Sequence, residues 1–313
     1  MPGNTGVTTF VTGAAGLVGT ELVKVLVARG HRVLGLTPSV EAAESVCRAG
    51  ATPVMGDLLE AGRWQDEAAT EWVFHLPPHS VPTRRVTERQ AGAIGRARLT
   101  MDANLLDAVA AGTTRRIVYG AHTSWYAAAG SRPITEDELS RPSAWGRSFT
   151  PALDRLGGYV LTGLPIITAL PGWIYGNASW FRDRVIEPVM AGRRVLHVDR
   201  TRPWVSPIHA HDCARALVHL AERGEAGGRY FVVNGEPVRL FDFAEVFARL
   251  AKRRLRVYPG PAAATRLVLG PVLADYLGTD AVFSNIRLRG IGFTFRYPTL
   301  EQGIHEVVGV LNE

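Results

Sequence analysis

Short apolar runs alternate with segments of helical periodicity along most of the chain. The apolar run at residues 7–11 ends at a glycine turn, and residues 17–27 then place apolar side chains at intervals of three and four. A short apolar run predicts a buried strand, whereas the three-four spacing predicts an amphipathic helix. The same patterns predict further strands at 32–36, 52–55, 72–76, 116–119, 166–170 and 230–233, and helices at 40–49, 87–111 and 211–222.

This alternation is typical of parallel strands joined by helices that cover both faces of a sheet. The fold class that we predict is therefore α/β, a doubly wound parallel sheet with a smaller C-terminal lobe. After residue 172 the pattern becomes irregular, and Gly, Pro and Trp are frequent as far as residue 207. We assign residues 1–172 to the sheet domain, to which residues 206–235 return, and residues 173–205 and 236–313 to the smaller lobe.

Composition excludes several classes of protein. The 313 residues are 46% hydrophobic and 20% charged, as is typical of a globular protein in water. The net charge of +6 comes from arginines scattered in short runs without a recognition motif, so we expect no nucleic-acid partner. No apolar stretch of about 18 residues predicts a membrane span, and no secretion signal is recognisable. We expect a cytoplasmic monomer or homodimer with two free cysteines.

A glycine-rich turn lies between the first predicted strand and the first predicted helix. Residues 12–19 read Thr-Gly-Ala-Ala-Gly-Leu-Val-Gly. Glycines let backbone N–H groups approach a pyrophosphate without intervening Cβ atoms, and the helix N-terminus adds partial positive charge. Residues 56–58, Gly-Asp-Leu, follow the third predicted strand and strengthen the pattern. The sequence therefore predicts that the sheet domain is a dinucleotide-binding Rossmann domain.

With these motifs the chain resembles the extended short-chain dehydrogenase/reductase family over nearly all of its length. Residues 12–19 match the family's TGxxGxxG, and residues 56–58 match its adenine-contacting acidic motif. Further likenesses are residues 74–76 to the strand beside the cofactor, 170–176 to RPGxVYG, 208–212 to VHVDD, and 297–299 with Gly303 to the usual ending. The resemblance implies an extended Rossmann fold, a nicotinamide cofactor and a substrate-binding C-terminal lobe. The cofactor contacts that it implies are Gly13, Ala15, Gly16, Leu17, Val18, Thr37, Ser39, Asp57, Leu58, Leu76, Pro77, Gly120, Ala121, Pro171, Gly172, Trp173 and Ile174.

The end of the second predicted strand bears on which nicotinamide cofactor binds. An Asp or Glu there holds the ribose 2′-OH of NAD and repels the 2′-phosphate of NADP. Residues 36–39 read Leu-Thr-Pro-Ser, and no carboxylate follows before Glu41. Hydroxyl groups and a basic protein tolerate a phosphate, so the sequence favours NADP(H) over NAD(H), although Pro38 stands where an arginine would bind that phosphate.

The resemblance also shows which catalytic groups this chain lacks. In the family a Ser or Thr after the fifth strand orients a carbonyl, a Tyr passes a proton, and a Lys lowers the pKa of that Tyr. Matching the end of the fifth strand puts His122 at the Ser position, Trp145 at the Tyr position and Phe149 at the Lys position. An indole N–H is not an acid at neutral pH, and phenylalanine has no proton to give. The two lysines, Lys24 and Lys252, lie far from this segment in the sequence.

Three ways of replacing these groups stay open. His122 titrates in a suitable range, or it only forms a hydrogen bond within its loop. Ser124 or Tyr126 can orient the substrate, although Tyr126 also matches an architectural tyrosine of the family. Third, the substrate can supply its own acid, for instance a phenol adjacent to the ketone.

Aromatic residues in segments that border the family's substrate cleft favour a flat ligand. The candidate substrate-binding residues are Trp125, Trp145, Phe149, Tyr175, Trp180, Phe181 and Trp204. Core filling is the alternative role for each of them. His209, His211 and Asp212 belong to the VHVDD-like segment, where they are structural, so we expect no metal.

The function that we expect is an NADPH-dependent ketoreductase of antibiotic biosynthesis. Its substrate would be a carbonyl of a polycyclic aromatic, angucyclinone-type polyketide, with substrate-assisted protonation in place of the Tyr/Lys pair. Two alternatives stay open. A redox-inert NADP(H)-binding regulator would bind the cofactor without turnover, and a non-redox cyclase or dehydratase would form product without net consumption of NADPH.

Overall fold

The computed structural model describes residues 6–77, 85–110, 112–126, 129–139, 141–198, 203–260 and 262–312. The strands are β1 (Thr8–Thr12), β2 (Arg32–Thr37), β3 (Thr52–Met55), β4 (Trp72–His75), β5 (Arg116–Gly120), β6 (Gly130–Ile134), β7 (Ile166–Pro171), β8 (Trp173–Tyr175), β9 (Arg194–Val198), β10 (Trp204–Val205), β11 (Pro207–His209), β12 (Arg229–Val232), β13 (Val238–Arg239), β14 (Arg256–Gly260) and β15 (Ala281–Phe283). The helices are α1 (Leu17–Ala28), α2 (Val40–Arg48), α3 (Trp64–Ala68), α4 (Glu88–Ala110), α5 (Ala144–Arg147), α6 (Thr150–Leu161), α7 (Ser179–Phe181), α8 (Glu187–Met190), α9 (Ala210–Arg223), α10 (Asp242–Leu250), α11 (Ala262–Leu269), α12 (Pro271–Leu277), α13 (Ile286–Gly290) and α14 (Leu300–Asn312).

Seven parallel strands form the central sheet, in the order β3-β2-β1-β4-β5-β7-β12. The predicted fold class, a doubly wound α/β sheet, is confirmed. The strand order reverses between β1 and β4, and the crevice at such a reversal is where ligands bind in open α/β sheets.

Alternate side chains of β1 explain why helices cover both faces of the sheet. Phe10 packs in one apolar cluster with Leu105 of α4, whereas Val11 packs in another with Leu22 of α1 and Leu217 of α9. Successive residues of a strand point to opposite faces, so both faces of a strand made only of buried residues need a cover. Each large apolar side chain buried in this way stabilises the fold by about 1.5–3 kcal/mol.

A smaller lobe is built around the helices α7, α10 and α14. Its own apolar cluster contains Phe181, Phe243, Phe247 and Ile304. The helix α12 packs against α5 and α4 of the sheet domain, which brings it over the carboxyl ends of the central strands.

The described residues contain neither a membrane-spanning helix nor a cluster of metal ligands. No helix among them combines the length and apolar character needed to cross a membrane. No group of three or more His, Cys, Asp or Glu side chains among them is placed to hold a metal ion.

Candidate functional site

A cavity of about 590 Å³ lies at the carboxyl ends of β1, β2, β4, β5 and β7. The predicted cofactor contacts line this cavity with one exception, Ser39. The Ser39 hydroxyl instead caps α2, where its Oγ accepts a hydrogen bond from the Ala42 amide at 3.2 Å. The further lining residues that sequence reasoning missed are Gly19, Leu36, Pro38, Gly56, Leu59, Met101, Ser179, Cys213, Leu217 and Tyr276.

Two glycines of the turn lie so close to neighbouring backbone that no side chain fits there. Gly13 has a φ of +66°, and a Cβ there would lie 2.0 Å from the Leu76 carbonyl oxygen. A Cβ on Gly19 would lie 2.0 Å from the Gly13 carbonyl oxygen. Gly16 is the N-cap of α1 and offers no side chain to the amides of the first helical turn. These residues therefore fit a pyrophosphate, which accepts hydrogen bonds from uncapped N–H groups at a helix N-terminus.

The adenosine end of this cavity is nearly uncharged. Of the lining residues that the structure describes, only Asp57 carries a formal charge, since no Arg or Lys is among them. The Asp57 carboxylate accepts a hydrogen bond from the Leu59 amide at 2.8 Å. Thr37 ends β2, and its hydroxyl donates to the Ser39 carbonyl at 3.2 Å. In the described part of the chain, neither an acidic group that would repel a 2′-phosphate nor a cation that would bind it lies at the end of β2.

The opposite end of the cavity is an aromatic wall, formed by Trp173, Trp180 and Tyr276. The rings of Trp173 and Tyr276 stack at 5.3 Å with an interplanar angle of 19°. Trp180 meets Trp173 edge-on at 5.2 Å, and the His122 ring lies 5.9 Å from that of Tyr276. Met101 of α4 lines the same cavity. Tyr276 was missed because its segment matches no motif, and its position depends on how α12 docks.

His122 is buried beside this wall and is neutral at physiological pH. Its Nδ1 accepts a hydrogen bond from the Ser124 amide at 3.2 Å, which places its proton on Nε2. Burial lowers the pKa of His122 to about 3, and the positive charge of Arg98 acts in the same direction. An imidazolium therefore does not form near pH 7, which argues against His122 as the proton donor. The neutral ring can still donate a hydrogen bond.

Several predicted site residues lie outside this cavity. Trp125, Trp145, Phe149, Tyr175, Phe181 and Trp204, predicted to contact substrate, and Ser124 and Tyr126, predicted to orient it, are not among its lining residues. Most of them fill apolar clusters: Trp145 meets Phe149 edge-on at 5.3 Å, and Phe149 stacks on His122 at 6.3 Å. These large rings bury more apolar surface inside the core than they would in an open cleft, and for this reason they pack in the core and not in the cavity wall.

Four of the predicted site residues lie in other parts of the structure. Tyr175 and Phe181 belong to the core of the smaller lobe. Trp204 lies on β10, where the Arg239 guanidinium sits 3.8 Å above its ring. Tyr126 lines a separate cavity of about 260 Å³. Of the predicted aromatic residues, the structure brings Trp173 and Trp180 to the main cavity.

A buried group of charged and polar side chains lies beneath the site. The Asp102 carboxylate accepts hydrogen bonds from His75 Nε2 at 2.8 Å, Arg98 Nε at 2.6 Å and the Tyr119 hydroxyl at 2.6 Å. Burial pushes the pKa of Asp102 upward, but the charge of Arg98 and these hydrogen bonds outweigh it and hold the pKa below its ordinary value. Burial lowers the pKa of His75, so its ring is neutral and donates through Nε2.

This group ties together three of the loops that line the cavity. The Thr12 hydroxyl accepts from the Leu76 amide at 2.9 Å and lies 3.0 Å from Nδ1 of His75. Arg98 Nη2 donates to the Gly120 carbonyl at 2.8 Å. One network of hydrogen bonds therefore fixes the glycine turn, the loop after β4 and the end of β5 relative to one another.

Residues 9–234 match the NAD dependent epimerase/dehydratase family. The chain belongs to this family. The sequence resemblance to the extended dehydrogenase/reductases is thereby supported over most of the chain, including the glycine turn and the ends of the parallel strands.

Relatives of known activity include reductases and dehydrogenases. A ketoreductase of Stigmatella aurantiaca, named for 4-hydroxy-2-methyl-3-oxo-4-farnesyl-3,4-dihydroquinoline-1-oxide, is 29% identical over 245 residues, or 75% of this chain and 70% of that protein. A 3-beta-hydroxysteroid dehydrogenase of Mycolicibacterium neoaurum is 26% identical over 269 residues, or 79% of this chain and 70% of that protein. These likenesses and the family support an NAD-dependent enzyme of the oxidoreductase type.

Solved structures share the fold over nearly the whole chain. MoeE5 in complex with UDP-glucose and NAD has a TM-score of 0.81 and 22% identity, with coverage of 97% of this chain and 98% of that one. This likeness extends through the smaller lobe, so the extended form of the Rossmann fold is shared as well.

Proposed function

We propose that this protein is a ketoreductase that uses a nicotinamide cofactor to reduce a ring ketone of a polycyclic aromatic small molecule, of the angucyclinone polyketide type. The observation that carries this proposal is the aromatic wall of Trp173, Trp180 and Tyr276 at one end of the cofactor-sized cavity. Flat rings stacked in a buried site suit a flat ligand and offer little to a sugar, which needs many hydrogen-bond partners.

The relatives support a fused-ring substrate. The Stigmatella aurantiaca ketoreductase is named for an oxo-dihydroquinoline, and the Mycolicibacterium neoaurum enzyme for a hydroxysteroid. Both names describe fused rings that carry a ketone or its reduced counterpart. The same kind of substrate accounts for a lining that is largely apolar around His122.

The glycine turn and the loops after β4, β5 and β7 are the residues that would hold the cofactor. Such a cofactor, when bound in its reduced form, supplies a hydride to a carbonyl carbon. The end of β2 has no carboxylate to repel a 2′-phosphate, which favours NADP(H). No Arg or Lys lines the described part of the cavity, so no cation among those residues can pair with the 2′-phosphate. We therefore expect the preference for NADPH over NADH to be below about tenfold, which corresponds to about 1.4 kcal/mol, the upper limit for one exposed ion pair.

Protonation of the product is proposed to be substrate-assisted. Trp145 and Phe149 are buried in the core, and His122 is neutral. A phenol adjacent to the ketone can instead donate its proton: its O–H bond breaks as the ketone oxygen gains a proton, and water later reprotonates the phenolate. The ketone is reduced by two electrons, the cofactor is oxidised, and the charges balance.

Consumption of NADPH tests this proposal. The protein is mixed with NADPH and planar polycyclic ketones with and without a neighbouring phenol, and the absorbance of NADPH is followed. A decalone of similar ring size but without a planar face serves as control. We expect turnover with the phenol-bearing planar ketones and at least about tenfold less without the phenol, the usual worth of a general acid being 10²–10⁴-fold.

The negative outcomes separate the alternatives. Tight binding of NADPH without turnover of any ketone would refute the ketoreductase and favour a redox-inert regulator. Product formed without net consumption of NADPH would favour a cyclase or dehydratase.

A further inference from the structure

Tyr276 is a phenol in the cavity that the mechanism above does not use. It lies on α12, which begins after Gly270 at a φ of +83°, where a Cβ would meet the Val86 carbonyl oxygen at 2.4 Å. The neighbouring Asp275 carboxylate accepts a hydrogen bond from the Ala144 amide of α5 at 3.1 Å. Contacts from the smaller lobe to the sheet domain therefore decide where the Tyr276 ring sits.

The ring of Tyr276 is held on two sides. Trp173 stacks on it at 5.3 Å, and the His122 ring lies at 5.9 Å with an angle of 52°. The side chain is buried, yet within the described residues no hydrogen bond reaches its hydroxyl. A hydroxyl without a protein partner needs water or a ligand to bond to it. The Tyr276 hydroxyl belongs to a residue of the cavity wall and is not among the fully enclosed unpaired polar atoms, so a ligand in the cavity can reach it.

The Tyr276 hydroxyl can act as a hydrogen-bond donor but not as a base. Burial raises the pKa of Tyr276 well above its ordinary value, so the O–H stays protonated throughout the physiological range. The His122 ring lies on the same cavity wall, and its Nδ1 accepts a hydrogen bond from the Ser124 amide. Tyr276 can thus present one neutral donor to an oxygen atom in the cavity.

We propose that the Tyr276 hydroxyl hydrogen-bonds the carbonyl oxygen of the substrate and stabilises the negative charge that develops there. This inference rests on the proposed function. Hydride addition at the carbonyl carbon moves the electron pair of the C=O π bond to oxygen. The proton then comes from the adjacent phenol of the substrate, while Tyr276 keeps its own proton. Tyr276 would thereby take over, from a different lobe, the carbonyl-orienting role that a Ser or Thr has in the family.

The Tyr276→Phe variant tests the hydroxyl alone, because the ring and its stack on Trp173 remain. We expect kcat for a phenol-bearing planar ketone to fall about 10²-fold, the usual loss when one donor to an oxyanion is removed. KM should stay within about threefold, since the stacking contacts of the ground state are kept. The affinity for NADPH, measured by quenching of tryptophan fluorescence, should be unchanged.

Two further variants make the result specific. Tyr276→Leu removes ring and hydroxyl, and should lower kcat and also raise KM. Tyr258→Phe removes a hydroxyl from a half-exposed tyrosine on β14 and should leave both constants unchanged. Melting curves followed by circular dichroism verify that the variants are folded at the assay temperature.

The outcomes are distinguishable. A wild-type rate in Tyr276→Phe, with wild-type protein active, would overturn the role of Tyr276 and leave the ketoreductase intact. No turnover by wild-type protein with any ketone would overturn both. A lower kcat in Tyr276→Phe with KM and NADPH affinity unchanged would support the donor role.

Discussion

Replacing Asp102 with Asn removes the negative charge at the centre of the buried group beneath the site. Arg98 would stay buried with its charge no longer neutralised, because it is only 3% exposed. Breaking a buried ion pair by removing one partner typically costs about 3–5 kcal/mol. At about 2 °C per kcal/mol for a chain of this size, the melting temperature should fall by about 6–10 °C.

A second aspartate on the same helix provides a matched control. Asp107 also contacts an arginine and a tyrosine, Arg155 and Tyr159, but its side chain is 56% exposed. Water replaces the lost contacts there, so Asp107→Asn should cost no more than about 1 kcal/mol. Both aspartates pair with an arginine and a tyrosine, and Asp102 also bonds His75, so the contrast between the two variants reports mainly on burial.

The assay is thermal unfolding at pH 7 followed by far-UV circular dichroism, with urea unfolding as a second measure. A double variant that adds Arg98→Met to Asp102→Asn should be more stable than Asp102→Asn alone, because it removes the uncompensated charge. Equal losses in Asp102→Asn and Asp107→Asn would refute the reasoning, and so would a double variant no more stable than the single one.

Two further predictions concern His122 and the glycine turn. Because burial depresses the pKa of His122 from 6.5 to about 3, its contribution to stability is present above pH 6.5 and is lost on acidification, by about 2 kcal/mol at pH 5. His122→Asn should flatten this part of the stability profile while the same change at the exposed His305 should not, and parallel profiles for the three proteins would contradict it. Gly13→Ala should weaken NADPH binding at least about tenfold in a fluorescence titration, since its Cβ would displace the Leu76 loop. Gly163→Ala has the same positive-φ strain but no neighbour within 4 Å, so it should leave the affinity unchanged; equal effects of the two would count against the steric argument.

Local sequence predicted the sheet and the cofactor side of the cavity. Buried strands and amphipathic helices follow from periodicities of two and of about 3.6, which are properties of neighbouring residues. The glycine turn exposes its backbone N–H groups once the strand before it and the helix after it have formed. The residues after β4, β5 and β7 to which the family resemblance assigns cofactor contacts line this cavity, and their contact with a cofactor stays a prediction.

The substrate side was decided by tertiary structure. Nothing in the sequence around Trp145 and Phe149 distinguishes a ring that fills the core from one that meets a ligand, because both positions are apolar and aromatic. Packing of α6 against α4 and of α5 against α12 buries these two rings, and docking of α12 brings Tyr276 to Trp173 and His122 instead.

The sequence by itself therefore determined the α/β fold and the position of the glycine turn between its first strand and first helix, because each depends on contacts within a strand, a turn and a helix. Only the tertiary structure decided which aromatic rings face the cavity, that His122 is neutral, and that Arg98 and Asp102 pair beneath the site. These properties depend on burial and on distances between segments far apart in the chain, which residue spacing does not encode.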